Sequence, residues 1–173
     1  MEYKQVKNVF KSLLIKGIVL RLRDGVYSFE EQVLEPERYL YERYIMRKGK
    51  RIGTFYGQSL AFELGIFQQR PETVYIMTNK ESLTHGRKKT IMDRKVRIKG
   101  CEYAIDEDNY RILQVLDMLR MRYRFGWPVF DALVQFVQEN DIAYQDFKPF
   151  LDAYADHVRN DLADLYSMVE EVT

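Results

Sequence analysis

The apolar residues change their spacing near residue 100. Before that point, short stretches that alternate apolar with polar side chains are interleaved with stretches of helical spacing; after it, apolar residues return every three or four positions throughout. Period two puts alternate side chains on one face of a strand, and a period near 3.6 lines one face of a helix. A chain that uses the first period early and the second late is neither all-α nor all-β. The expected class is α+β: a partial winged-helix-like N-terminus, a small mixed α/β middle and a helical C-terminal bundle, organised as regions 1–100 and 101–173.

The local signals are specific. Residues 3–15 read as a helix with Val6, Phe10, Leu13 and Leu14 on one face, Lys4, Lys7, Asn8 and Lys11 on the other, and Gly17 placed to end it. Ile18, Leu20 and Leu22 then alternate with Val19, Arg21 and Arg23. Asp24-Gly25 is a two-residue hairpin signal, because a type I′ turn needs positive φ at both central positions, and Val26 to Phe29 forms the return strand. Glu35-Pro36-Glu37 opens a helix over 38–47 with Tyr39, Leu40, Tyr44 and Ile45 as its buried stripe. Residues 47–51 read as a basic loop, 59–65 as a short helix, 73–78 as a strand and 84–90 as a second basic loop. A strand over 94–98 has Val96 and Ile98 on one face, Arg97 and Lys99 on the other. Asp106-Glu107-Asp108 caps a helix over 109–123 that buries Ile112, Leu116, Leu119 and Tyr123; Gly126-Trp127-Pro128 breaks it. A helix over 129–139 follows, burying Leu133, Phe136 and Val137, and a last one runs from Pro149 to about Val169.

Charge divides at the same place. Residues 1–100 hold 21 Lys/Arg against 11 Asp/Glu, a net +10, and residues 101–173 hold 6 against 15, a net −9. The split suggests a basic module that meets a polyanion and an acidic module that dimerises or binds a partner; the alternative is that the halves neutralise each other. Four basic clusters are candidate phosphate contacts: Lys4, Lys7 and Lys11 with Asn8; Arg21 and Arg23; Lys48, Lys50 and Arg51 beside Arg47; and Arg87, Lys88 and Lys89. Asn8 and Ser12 lie on the lysine face, where base edges come within reach. Most of the 13 tyrosines fall at periodic core positions, and the rest are available for base stacking.

Other chemistries find less support. The chain has no GxxxxGK[ST], GxGxxG after a strand, GxSxG or HExxH, so no catalytic residue is assigned. Cys101 is the only cysteine and His85 and His157 the only histidines, which argues against a disulfide framework or a zinc site; no metal or cofactor is expected. Asp152 and Asp156 share a helix face, and Asp161 and Asp164 follow, as on any solvated helix. A nuclease would use Glu63, Asp93 and Lys95. No signal-peptide pattern or apolar run of membrane-spanning length is present, so the expected location is cytoplasmic.

The run VFKSLLIKGIVLRLRDGVYSF, residues 9–29, resembles the helix-and-wing element of the AbiEi-type antitoxin family, with Arg23-Asp24-Gly25-Val26-Tyr27 matching its wing pattern. Tyr56 to Gly65 is similar to that family's small-residue helix ending in leucine-glycine, and the strand 73–78 follows where the family has one. The resemblance covers roughly residues 5–100. It implies a transcriptional regulator that binds DNA and antagonises a nucleotidyltransferase-type toxin; the helix matches the recognition helix, and Arg21 and Arg23 match wing positions. Residues 101–173 match nothing in the family, and their expected role is homodimerisation or partner binding. The competing expectation is a non-catalytic interaction module with no nucleic-acid role.

Overall fold

The computed structural model describes residues 3–15, 20–23, 26–28, 35–82 and 84–172. The chain forms two compact units, Met1–Glu35 and Pro36–Thr173. The class is α+β, as the change of period predicts.

In the first unit, helix α1 (Tyr3–Ile15) precedes an antiparallel hairpin, β1 (Leu20–Arg23) and β2 (Val26–Ser28). Leu20 pairs with Ser28 and Arg21 with Tyr27, and the register slips before Arg23 meets Val26. Gly17 and the Asp24-Gly25 turn lie outside the described residues.

The second unit opens with α2 (Pro36–Leu40), which passes into a π-helical turn, Tyr41–Ile45. The helix expected to reach residue 47 therefore stops two residues short, and the basic loop is a small hairpin of β3 (Met46–Arg47) and β4 (Lys50–Arg51). Lys48 and Gly49 turn it with φ of 51° and 75°, the positive pair a tight hairpin needs. Next come β5 (Gly53–Phe55), α3 (Gly57–Glu63), β6 (Thr73–Thr78), β7 (Arg87–Ile91) and β8 (Arg94–Lys99). They form one sheet in the order β5-β6-β8-β7, with β6 and β8 parallel and the other neighbours antiparallel.

Strand β7 corrects the second expected loop. Arg87, Lys88, Lys89 and Thr90 are all exposed, so no alternation marks them; backbone pairing with β8 alone makes the strand. Its turn uses Met92 and Asp93 at φ 50° and 62°, positions where a glycine would have announced the hairpin.

One face of the sheet packs Val74, Ile76, Val96 and Ile98 on Leu40, Tyr44 and Ile45. Gly53 makes this contact possible: a Cβ there would lie 2.2 Å from the Tyr44 carbonyl oxygen. The helical layer follows as α4 (Tyr110–Arg120), a 3-10 turn (Arg122–Arg124), α5 (Pro128–Glu139), a 3-10 segment (Tyr144–Ala153) and α6 (Asp156–Val172). Asp106 Oδ1 accepts the N–H groups of Asp108 and Asn109 in the turn that leads into α4, whose N-cap residue, Asn109, makes no side-chain cap itself. Two end details differ from expectation. Tyr123 is 76% exposed, because the chain tightens into a 3-10 turn after Met121 and swings the ring outward. The last helix starts at Asp156, because Pro149, which lacks an N–H, is spent inside the 3-10 segment.

The second core joins Leu60 and Ala61 of α3 to Leu116, Leu119, Leu133, Val137, Phe147, Leu162 and Leu165. It spans residue 100 without a break, so the expected boundary there marks a change of charge and not of packing. Asn79 ties the two parts as well: its side chain donates to the Ile105 carbonyl and accepts the Ile105 N–H, both at 2.8 Å. No helix among the described residues is long and apolar enough to cross a membrane.

Burial dictates the alkaline limit of this fold. It pushes the Tyr56 phenol up to about 12, and raises Tyr154 and Tyr166 in the same direction. A group whose folded pKa is raised contributes stability below its unfolded value, near 10, and loses it as pH climbs through the folded value. Lys99, pulled down by burial, acts oppositely but only below its ordinary pKa. Denaturant titrations from pH 9 to 12 are therefore expected to show stability falling above pH 10, by about 2–3 kcal/mol for Tyr56 alone, with part of the phenolate absorbance appearing only on unfolding.

Candidate nucleic-acid interface

The second sheet face is built differently along its length. Residues opposite one another on neighbouring strands share a face. Tyr75 of β6 stands beside Arg97 of β8, which stands opposite Lys88 of β7; one step along, Thr73, Lys95 and Thr90 form a parallel row. These side chains line an open groove of about 570 Å³. Lys88, Lys95 and Thr90 are exposed, and Arg97 and Tyr75 are half-buried. Arg97 Nη2 donates to the His85 carbonyl at 3.0 Å, which fixes the guanidinium, and Lys95 pairs with Glu72. Tyr75 meets Tyr56 edge-on with ring centroids 5.5 Å apart. The arrangement offers cations beside an aromatic ring, which suits a phosphate chain whose bases stack.

Of the expected phosphate contacts, Lys88 and Lys89 stand exposed on β7, while Arg87 reaches Glu81 at 3.5 Å. Lys48 and Lys50 are exposed around the β3–β4 turn. Arg51 is engaged within the fold. Its side chain is 12% exposed, Nε donates to Glu107 at 2.8 Å, and the guanidinium lies 3.6 Å from the Tyr110 ring centroid. In the first unit, Lys4 and Lys7 lie on α1, where Asn8 and Lys11 are exposed, and Arg21 and Arg23 lie on β1. The structure thus brings Lys88 together with two residues absent from the candidate set, Lys95 and Arg97. Their signal was present: Lys95, Arg97 and Lys99 alternate along a strand, which forces three cations onto one face.

The acidic residues divide between surface and interior. Asp152 and Asp156 are exposed, but Asp161 is 3% exposed and pairs with Arg122, so this one leaves the solvated face assigned to it. Asp117 is buried against Lys99 and Arg120, at a point where a lone acid interrupts the apolar run of α4. Glu63, Asp93 and Lys95 sit on α3, the β7–β8 turn and β8. Burial of its carboxyl pushes Glu63 up, against the pull of Arg70 and Arg51, while the residue as a whole is exposed. Among the described residues, no three His, Cys, Asp or Glu side chains gather as a metal site would need.

No protein-family model matches the chain, and no curated protein matches it significantly.

The contrast within one cluster is measurable. Arg51→Ala removes an ion pair and a close cation–π contact and is expected to lower unfolding free energy by roughly 1–2 kcal/mol, whereas Lys48→Ala and Lys50→Ala stay within about 0.5 kcal/mol of the parent. Urea unfolding of the three variants checks this.

Proposed function

We propose that the chain is a non-catalytic, DNA-binding regulator of the antitoxin kind. It contacts DNA through α1 and the β1–β2 hairpin and, independently, through the open face of the four-stranded sheet. The observation that carries the DNA part is the row Tyr75, Arg97 and Lys88 with Lys95 beside it, lining a groove that is open to solvent. Lysine and arginine there release counterions from a phosphate backbone, and Tyr75 offers a ring for a base. The toxin-neutralising part is supported by the resemblance of residues 5–100 alone.

Fluorescence anisotropy with labelled double- and single-stranded DNA, across a salt series, tests the reading. The parent chain is expected to bind at low salt and to weaken as salt rises. Lys88→Glu, on the open face of an exposed strand, is expected to weaken binding and to reduce the salt slope by about 1. No signal with either DNA form at low salt overturns the proposal.

A second reading is favoured by one feature of the helical layer. Trp127 is 67% and Tyr123 76% exposed, and Trp127 stacks on Phe130 with centroids 5.3 Å apart. Exposed tryptophan and tyrosine with neighbouring arginines, here Arg122 and Arg124, are frequent at the centres of protein interfaces. On this reading residues 101–173 bind a second copy or another protein. Light scattering is expected to give a salt-insensitive dimer that Trp127→Ser dissociates; a monomer at all concentrations removes the homodimer.

A further inference from the structure

The free edge of the four-stranded sheet has a chemistry separate from that of its open face. Strand β7 has one neighbour, β8, and nothing pairs on its other side. Met92 and Asp93, at φ 50° and 62°, make the connection a two-residue hairpin. In such a hairpin the flanking residues, Ile91 and Arg94, exchange backbone hydrogen bonds, and the pattern alternates from there. Ile91, Lys89 and Arg87 therefore use their N–H and C=O groups on β8, while Lys88 and Thr90 turn theirs outward. Both outward residues are exposed, and among the described residues no group bonds to those backbone atoms.

The side chains along this edge are mostly cationic, and on both faces. Lys88 shares the open sheet face with Arg97, its partner on β8, while Arg87 and Lys89 fall on the face of Ile98 and Val96. The acids near the strand are Glu81, Glu72 and Asp93. Glu81 is held by Arg87 and Glu72 by Lys95, and Asp93 lies in the turn at the end of the strand. Lys88 and Lys89, in the middle, form no ion pair among the described residues. Towards the turn, Ile91 is partly buried and packs on the apolar core of its face. A chain laid along β7 would therefore meet the free N–H and C=O of two residues, a lysine on each face, and apolar surface at one end.

We propose that the free edge of β7 receives an extended acidic segment of a partner protein, which adds a fifth strand to the sheet. Backbone pairing with Lys88 and Thr90 holds the segment, and carboxylates beside Lys88 and Lys89 select it. Charge decides the occupant. An opposite charge directly across from a lysine on a neighbouring strand is stabilising, and a like charge there is destabilising. Nucleic acid meets the lysines but has no alternating N–H and C=O ladder to match the outward backbone groups. The inference goes beyond the DNA-binding reading and does not depend on it, because the two sites share only the Lys88 side chain.

Fluorescence anisotropy on the full chain tests this with three labelled, end-capped peptides of equal length: one alternating Glu with Val, one alternating Glu with Pro, and one alternating Lys with Val. The Glu-Val peptide is expected to bind. The Glu-Pro peptide, equal in charge but with prolines that donate no N–H and favour the polyproline form, is expected to bind about tenfold more weakly, and the Lys-Val peptide not at all. Amide exchange followed by NMR then reads the edge directly. At ten times the dissociation constant of the Glu-Val peptide, the Lys88 and Thr90 amides are expected to exchange about tenfold more slowly by mass action, while those of Arg87 and Lys89, already bonded to β8, change little. Thr90→Pro removes an N–H that the fold does not use, a change an edge strand tolerates. It is expected to weaken the Glu-Val peptide about tenfold and to leave DNA anisotropy unchanged. Equal binding of the Glu-Val and Glu-Pro peptides, or equal slowing of all four amides, overturns the proposal. So does absence of peptide binding at low salt, with DNA anisotropy then deciding the DNA-binding reading by itself. Protection of Lys88 and Thr90 in the free chain that disappears on dilution puts a second copy at the edge and likewise overturns the acidic partner. The measurements on the unaltered chain decide the matter even if Thr90→Pro does not fold.

Discussion

Lys99 and Asp117 face one another with almost no access to water. Removing each charge from solvent costs several kcal/mol, which only a well-aligned partner offsets. The lysine closes β8 and the aspartate sits in the last turn of α4, so the pair fixes the rotation of the helix above the sheet. Advancing α4 by one residue would turn the acid by about 100° and strand a buried ammonium. The surrounding contacts are consistent with that constraint. Gln114, one turn earlier on α4, donates to Thr54 of β5 at 2.7 Å in the interior, and Arg120 reaches back to Asp117 from the end of the same helix. A polar seam therefore runs along one side of α4 while its apolar residues pack into the helical core.

The seam also explains what becomes of the divided charge. Residues 36–173 contain equal numbers of basic and acidic residues, 21 of each. Arg51 with Glu107 and Lys99 with Asp117 are ion pairs that join the basic half to the acidic half. Mutual neutralisation, the plainer of the two sequence interpretations, is thus realised in part. Lys88 and Lys89 of β7 stand exposed outside these pairs, so a neutral unit still presents a polarised surface.

Much of this was legible in the residues. The strands 73–78 and 94–98, the split of Val96 and Ile98 from Arg97 and Lys99, and the helix entered at Asp106 follow from alternation, periodicity and capping chemistry. The misreadings share a cause. Strand β7 has no apolar face, and the turns at Lys48 and at Met92-Asp93 place non-glycine residues at positive φ, so backbone pairing decides the structure where side-chain pattern is silent. Arg51 and Asp161 read as surface charges because their partners, Glu107 and Arg122, lie 56 and 39 positions away. The Lys99–Asp117 pair was hidden for the same reason. Asp117 stands out within an apolar helix, but nothing local says that a strand lysine 18 residues earlier meets it.

Strand β7 stands at the border of its sheet with Arg87, Lys88, Lys89 and Thr90 exposed. A border strand presents backbone donors and acceptors on which another chain can pair, and neighbouring strands sit about 4.8 Å apart. A second copy laid against this one would bring two rows of like charge to that spacing. These cations therefore guard the open border against self-templated aggregation.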